Sequence, residues 1–217
     1  QFIIKKDGEK TKISSQKYEL SAEIDDNSWR VYAASLEKIT KKSDIFKKYD
    51  LANGSLLLKK EVSSQNIEFN MLVQGTKHKI LTQKNLLIDD YSINGKYNTQ
   101  TEGIVANIND LVDIDIAQNI EIKAHDTGFN LDAILEFFSS EEDEVKQNSN
   151  NKKDDRKSIE LNAKNCYIYV SDNRYLVSDT IDLKYKNDIL DIKLNHKNGE
   201  AKLELKDDKF YFFGDKF

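Results

Sequence analysis

The C-terminal part of the chain alternates between apolar and polar residues. Three runs, IDLKYK (181–186), LDIKLN (190–195) and AKLELK (201–206), place an apolar residue at every second position and a charged or amide residue between them. A period of two is typical of strands that bury one face. The connections between the runs are only a few residues long, so neighbouring strands are expected to be antiparallel. The pattern predicts an antiparallel β-meander over residues 158–217.

The segment 1–138 has a similar composition of short extended runs, separated by glycine and asparagine. Asp7-Gly8 lies between two such runs and predicts a hairpin turn. Asn94-Gly95 and Gly103 have the composition of turns as well, so we expect the chain to turn there. We therefore predict a β-rich segment over residues 1–138.

Two short helical segments interrupt the strands, at about 35–49 and 130–138. In the first, Leu36 and Ile39 have helical spacing, and in the second Asn130 is a candidate N-cap before the apolar run LDAILEFF. Residues 139–157 (SSEEDEVKQNSNNKKDDRK) have no apolar periodicity and predict an exposed acidic and polar loop. We take this loop as the internal boundary of the chain.

Charge and composition narrow the possible partners. The formal net charge is -5, and lysine is interleaved with aspartate and glutamate, so no basic stripe is available for nucleic acid. No run of about 18 apolar residues is present, so no segment predicts a membrane-spanning helix. The chain begins at Gln1 without a signal peptide, and we expect it to be a segment of a longer protein.

The strongest catalytic motif is Asp126-Thr127-Gly128, the tripeptide of aspartic proteases. Such enzymes need two aspartates that share a proton, but the sequence has no second copy, and Phe129 follows where a small or hydroxyl residue is usual. The tripeptide therefore predicts an ordinary turn. The three histidines have no metal-ligand spacing. We predict a protein that is not an enzyme and that needs no cofactor or metal.

The predicted strands carry more apolar surface than two short helices can cover. Either two sheets pack face to face as a sandwich, or one sheet curls so that its apolar face lines a groove. A groove of aliphatic side chains without convergent polar groups suits an acyl chain better than a polar metabolite.

Three stretches of the sequence resemble the AsmA-like family of envelope proteins, the TamB and YhdP type of bridge-like lipid transfer protein. They are EIKAHDTGFNLDAILEFF (121–138), WRVYAASLEKITKKSDIFKKYDLANGSLLLK (29–59) and the tail 181–217. The resemblance implies a periplasmic fragment of a protein anchored in the inner membrane by a segment outside this chain. It also implies a mostly β, elongated groove (a β-taco) that conducts phospholipid towards the outer membrane, with no catalytic residues. The loop 139–157 departs from the family pattern.

The expected function is therefore non-enzymatic binding and conduction of phospholipid acyl chains, with contacts to both membranes made by parts outside the chain. The alternative is a structural or protein-interaction β-sandwich module of the cell envelope. The expected lipid-binding wall comprises Ile181, Leu183, Tyr185, Leu190, Ile192, Leu194, Leu203 and Leu205, together with either Phe210 and Phe212 or Tyr211 and Phe213.

Overall fold

The structure, a computed structural model, describes residues 1–40, 53–76, 79–83, 86–130, 133, 158–169, 175–186, 189–197, 199–206 and 209–214. These residues are mostly in β-strands, as predicted, with almost no helix among them. Helix α1 spans Leu36–Thr40. The strands in chain order are β1 (Ile3–Asp7), β2 (Lys10–Ser15), β3 (Leu20–Ile24), β4 (Ser28–Ala33), β5 (Gly54–Glu61), β6 (Asn66–Val73), β7 (Leu81–Gln83), β8 (Leu86–Leu87), β9 (Tyr91–Asn98), β10 (Ile104–Ile108), β11 (Val112–Ile116), β12 (Ile120–His125), β13 (Gly128–Asn130), β14 (Ile159–Tyr169), β15 (Tyr175–Lys186), β16 (Ile189–His196), β17 (Gly199–Lys206) and β18 (Lys209–Gly214).

The chain divides into two compact units. Unit 1 comprises residues 1–78 and 89–110, and unit 2 comprises residues 79–88 and 111–217. The chain passes between the units three times, after residues 78, 88 and 110, and no shift of composition marks these positions. The boundary expected at 139–157 stays a prediction.

Unit 1 contains an antiparallel series of eight strands. Each strand from β1 to β6 pairs with the next, β6 then pairs with β9, and β9 pairs with β10. The predicted hairpin at Asp7-Gly8 is confirmed, because Asp7 pairs with Lys10 and Gly8 has a φ of 61°. A positive φ of this size favours glycine, which has no Cβ to clash with the backbone.

The expected turn at Asn94-Gly95 is wrong, because both residues lie in the middle of β9. Gly95 pairs with Phe69 of β6, and a Cβ atom added to Gly95 would overlap the Phe69 ring and the carbonyl oxygen of Val105. Glycine is therefore needed here for a close side-chain and backbone approach rather than for a chain reversal.

Unit 2 contains the predicted meander. Strands β14 to β18 pair antiparallel in sequence order. The structure adds a pairing that short-connection reasoning missed, since β12 and β13 both run parallel to β14. The segment between β12 and β14 is long enough for the crossover that a parallel pair requires. On its other side, β12 pairs with β11, and β13 pairs with β7. Strand β7 pairs in turn with β8.

Both predicted helices fall partly outside the described residues. The first begins at Leu36, as expected, and residues 41–49 of the predicted segment 35–49 lie outside the description. In the second, Asn130 is the last residue of β13, and its Oδ1 accepts a hydrogen bond from the Ala133 backbone N–H at 3.4 Å. An N-cap residue has extended backbone angles, so this geometry fits the predicted cap. The rest of 130–138, apart from Ala133, and the loop 139–157 lie outside the described residues.

Candidate functional site

The predicted wall residues of unit 2 are brought together by strand register. On β15 and β16, Ile181 pairs with Leu194 and Leu183 pairs with Ile192. Tyr185 pairs with Leu190 in the same ladder. Directly opposed residues of neighbouring strands share a face, so these six side chains form one apolar surface.

The protein's own atoms cover most of this surface. Ile181, Leu190 and Ile192 are each 2% exposed, and Leu194 and Leu183 are also buried, while Tyr185 is half-buried. One row continues at full burial across six strands, and we call it the buried row of unit 2. Its members are Val112, Ala124, Ala163, Ile181, Leu194 and Ala201. These side chains have the environment of a packed core.

Strand register also distinguishes the two options for the last strand. Phe210 and Phe212 pair with Leu205 and Leu203, which in turn pair with Leu190 and Ile192. The side chains of Leu203, Leu205, Phe210 and Phe212 are outside the described part of the structure.

Tyr211 and Phe213, the other option, pair with Glu204 and Lys202 on the charged face. Their side chains are 43% and 56% exposed. The register therefore assigns Phe210 and Phe212, rather than Tyr211 and Phe213, to the face of the predicted wall.

The opposite face of unit 2 is charged. Lys202 Nζ lies 3.2 Å from Asp191 Oδ2 and 3.2 Å from Glu204 Oε2. Lys202 donates hydrogen bonds to both carboxylates, and these bonds raise its pKa above the usual value. The bond to Asp191 has the largest effect, followed by the bond to Glu204. Lys184 and Glu160 form a further ion pair at 3.3 Å on this face. The Lys184–Glu160 pair is the more exposed one, whereas Lys202, Asp191 and Glu204 are half-buried. An exposed ion pair contributes little to stability individually.

Unit 1 has an apolar face that the sequence analysis did not single out. Register connects one residue from each of its eight strands into a continuous row, which we call the middle row. The middle row is Ile4, Ile13, Ala22, Val31, Leu58, Phe69, Gly95 and Ala106. The face that carries it is called the apolar face of unit 1.

The apolar face of unit 1 is more accessible than that of unit 2. Ile13, Val31, Leu58 and Phe69 are only half-buried, and Ile4 at one end of the row is 68% exposed. The buried members of the row are the two alanines, whose small side chains are easily covered. Apolar surface therefore remains open to a ligand along the middle row.

The signal for this face was present in the sequence. The runs WRVYA, NIEFNMLV and YSINGKYN alternate with the same period of two as the C-terminal strands. The alternation in these runs is less regular, because Gly95 occupies a position where an apolar side chain is expected. In addition, the turn predicted at Asn94-Gly95 divides β9 into two shorter runs. Only the register shows that Phe69 and Gly95 belong to one row.

The other face of unit 1 carries a row of mixed charge. Register connects Lys5, Lys12, Glu23, Arg30, Lys59, Glu68 and Lys96. Lys96 Nζ lies 3.3 Å from Glu68 Oε1. Unit 1 thus has one apolar and one charged face, the arrangement of an amphipathic antiparallel sheet.

The protease-like tripeptide forms a bend between β12 and β13. Asp126 has a φ of 51°, and its backbone N–H donates to the Lys164 carbonyl. The Thr127 hydroxyl is buried and donates to the Thr82 carbonyl at 2.8 Å. The Asp126 side chain is 70% exposed and lies 3.6 Å from His125 Nδ1. This geometry is that of a structural bend, as expected from the single copy of the motif.

Cys166 lies opposite this bend and is 1% exposed. Burial raises the pKa of its thiol, and Sγ donates to the Lys164 carbonyl at 3.0 Å. A raised pKa lowers the thiolate fraction, which is the nucleophilic form. Cys166 is accordingly a packing residue of unit 2.

Comparison with family models, curated proteins and solved structures gives no match for this chain. In the part of the chain that the structure describes, no helix is both long and apolar enough to cross a membrane. Within the same residues, no group of three or more His, Cys, Asp or Glu side chains could hold a metal ion. The apolar face of unit 1 is therefore the main candidate site that the geometry provides.

Proposed function

We propose that this chain binds and conducts phospholipid acyl chains without catalysis, and that the apolar face of unit 1 is the binding surface. The observation that carries the proposal is the middle row, which continues through eight paired strands and in which Ile13, Val31, Leu58 and Phe69 are half-buried. Register aligns its side chains across the strands, so a chain-like ligand could follow the row.

The size and chemistry of the row suit an acyl chain. Seven spacings of about 4.8 Å between neighbouring strands make the row roughly 34 Å long. An acyl chain spans about half of the ~30 Å hydrocarbon core of a bilayer, so the row is long enough for one. Transfer from water to an aliphatic surface stabilises each buried methylene by about 0.8 kcal/mol.

The cellular role that fits this activity is the one implied by the family resemblance. The chain would be a periplasmic segment of an AsmA-like protein, anchored in the inner membrane by a part outside this sequence. Its apolar face would line an elongated β-taco groove that carries phospholipid between the inner and outer membranes.

The burial of unit 2 favours a second candidate for that unit. Ile181, Ile192 and Leu194 are 2%, 2% and 3% exposed, the environment of a sealed core rather than of an open wall. A structural or protein-interaction β module, in which apolar faces are satisfied by protein, explains this burial directly.

A charge on the middle row tests the proposed function. We expect phospholipid to co-purify with the unaltered chain and to be visible by native mass spectrometry. Ile13→Asp places a carboxylate on the half-buried row and should remove the bound lipid, since an ionised group is costly in an apolar contact. Ser14→Asp adds the same charge one residue away, on the opposite and exposed face, and should retain the lipid.

The folded state of both variants is compared by circular dichroism before lipid is measured. Lipid retained by Ile13→Asp at the level of Ser14→Asp would reject the apolar face of unit 1 as the binding surface. Absence of phospholipid from the unaltered chain, even after incubation with phospholipid vesicles, would reject the function itself.

A further inference from the structure

The apolar face of unit 1 carries two lysines, and both lie in one row at the same end of the strands. This row lies two residues beyond the middle row, and we call it the lysine row. Its paired members are Lys6, Thr11, Ile24, Trp29 and Lys60. Among the described strands of unit 1, no carboxylate shares this face, and Lys6 and Lys60 are its only charged residues.

Burial changes from one end of these strands to the other. At the end away from the lysines, Ala33 and Val73 are 2% and 0% exposed, and Leu36 of the neighbouring helix α1 is also buried. In the lysine row, Lys6 and Ile24 are exposed, whereas Trp29 and Lys60 are half-buried. The buried residues at the two ends of this face thus lie at the end away from the lysines, whereas no residue of the lysine row is buried.

The two lysines differ from those of the opposite face. There, cations and carboxylates are interleaved by register, as in the pair of Lys59 with Glu68. None of the ion pairs among the described residues engages Lys6 or Lys60. Two cations at the open rim of an apolar face, without a carboxylate on that face, are complementary to an amphiphile with a negative headgroup.

We propose that the lysine row binds the anionic headgroup of an amphiphile whose acyl chain lies on the apolar face; this inference rests on the proposed function. A lysine ammonium binds phosphate as a point charge with three donors. Trp29 and Tyr97 lie at the same end of the strands, where Tyr97 pairs with Ile67 and Ile104. Aromatic side chains with one polar atom suit a boundary between apolar surface and water.

The register also indicates how many headgroups the row contacts. Four strand spacings of about 4.8 Å separate Lys6 from Lys60, a distance of roughly 19 Å along the sheet. Because side chains of a strand stand roughly perpendicular to the sheet, we assign the two ammonium groups at that separation to different phosphates. Lys6 and Lys60 therefore act as two successive headgroup sites along the direction in which the middle row runs.

Two probes with the same acyl chain separate headgroup recognition from acyl-chain binding. Oleoyl lysophosphatidylglycerol carries one phosphate, whereas 1-oleoylglycerol is neutral. Trp29 is the only tryptophan of the chain and lies in the lysine row, so its fluorescence reports binding at this position. Both titrations are performed below the aggregation concentrations of the probes, at low and at high salt.

The test variant is Lys6→Gln/Lys60→Gln, and the matched control is Lys5→Gln/Lys59→Gln. The control removes two charges from the adjacent positions of the same two strands, but on the opposite face. We expect the unaltered chain and the control to bind the phosphate probe about tenfold more tightly than the neutral probe, as one charge-assisted contact provides. The test variant should bind both probes equally, and high salt should reduce the preference of the unaltered chain.

Each other result overturns a specific statement. A phosphate preference that survives in Lys6→Gln/Lys60→Gln, or that is lost equally in the control, would show that the lysine row is not the headgroup site. Equal binding of both probes by the unaltered chain would reject headgroup selection but leave acyl-chain binding intact. Binding of neither probe would reject the proposed function and this inference with it.

Discussion

The two units are built from the same kind of amphipathic strand but cover their apolar faces to different extents. In unit 2 a whole row, from Val112 to Ala201, is buried across six strands. In unit 1 the middle row is half-buried, and its end at Ile4 is exposed. The alternation of apolar and charged residues thus identifies a face, whereas the atoms packed over that face decide whether it is core or accessible surface.

The largest expected difference between the units concerns truncation of their apolar rows. Ile192→Ala removes a fully covered side chain and should lower the free energy of unfolding by about 2–4 kcal/mol, since it leaves a cavity in a packed site. Ile13→Ala removes a half-buried side chain and should cost about 1 kcal/mol, because its apolar area is only partly withdrawn from water. Urea denaturation followed by circular dichroism measures both values. Equal losses would mean that the two rows are covered alike.

Cysteine labelling compares the accessibility of the same two regions. Cys166 is the only cysteine, is 1% exposed, and has a raised pKa owing to burial. It should react with iodoacetamide only when unit 2 opens locally, about a hundredfold more slowly than a free thiol. In the variant Ile13→Cys, the new thiol of unit 1 should react first. Mass spectrometry of peptides distinguishes the sites, and faster labelling at Cys166 would reverse the comparison.

A smaller loss of stability is expected from a substitution at Gly95, where unit 1 has no room for an added methyl group. Gly95→Ala introduces a methyl group that would overlap the Phe69 ring and a backbone carbonyl oxygen. The shifts that relieve this overlap should lower the free energy of unfolding by about 1–3 kcal/mol. Asn94→Ala changes the neighbouring exposed residue and should stay within about 0.5 kcal/mol of the unaltered chain. Thermal unfolding measures both, and a neutral Gly95→Ala would show that the middle row can shift at this position.

The smallest effects are expected from pH, with opposite signs in the two units. In unit 1, hydrogen bonds from the backbone N–H of Asn27 and from Ser28 lower the pKa of Asp25. A lowered pKa stabilises the fold above the ordinary Asp value of 3.8, and this stabilisation is lost as the pH falls through the folded value.

In unit 2, the raised pKa of Lys202 has the opposite consequence. Its contribution is complete below the ordinary lysine value of 10.5 and is lost as the pH rises through the folded value. Asp25→Asn should therefore reduce the loss of stability at acidic pH. Lys202→Gln should reduce the loss of stability at alkaline pH. Unfolding midpoints measured across pH check both, and a change of the same sign in the two variants would contradict this assignment.

Several local features followed from the sequence because their causes are local. The hairpin at Asp7-Gly8 needs only a glycine with a positive φ between two extended runs. Asn130 was recognisable as a cap because its side chain bonds a backbone N–H three residues away. The alternation of residues 181–186 was sufficient to separate Ile181 and Leu183 from Asp182 and Lys184.

Other features depended on residues that are distant in the sequence. Asn94-Gly95 has the composition of a turn, and only the Phe69 ring from another strand shows why glycine is needed within β9. The parallel pairing of β12 with β14 depends on a long crossover, which short-connection reasoning does not cover. The same limit applied to the proposed binding surface in unit 1, since the most regular alternation lies in unit 2.

The order of apolar and polar residues was thus enough to define strands and to assign side chains to two faces, because successive residues of a strand point to opposite sides. Sequence order could not define which strands are neighbours or which face is covered. Those properties depend on pairing between distant segments and on the atoms packed over each row. The tertiary structure therefore decided that Ile192 belongs to a packed interior, while Ile13, Val31 and Phe69 remain partly open beside the lysine row.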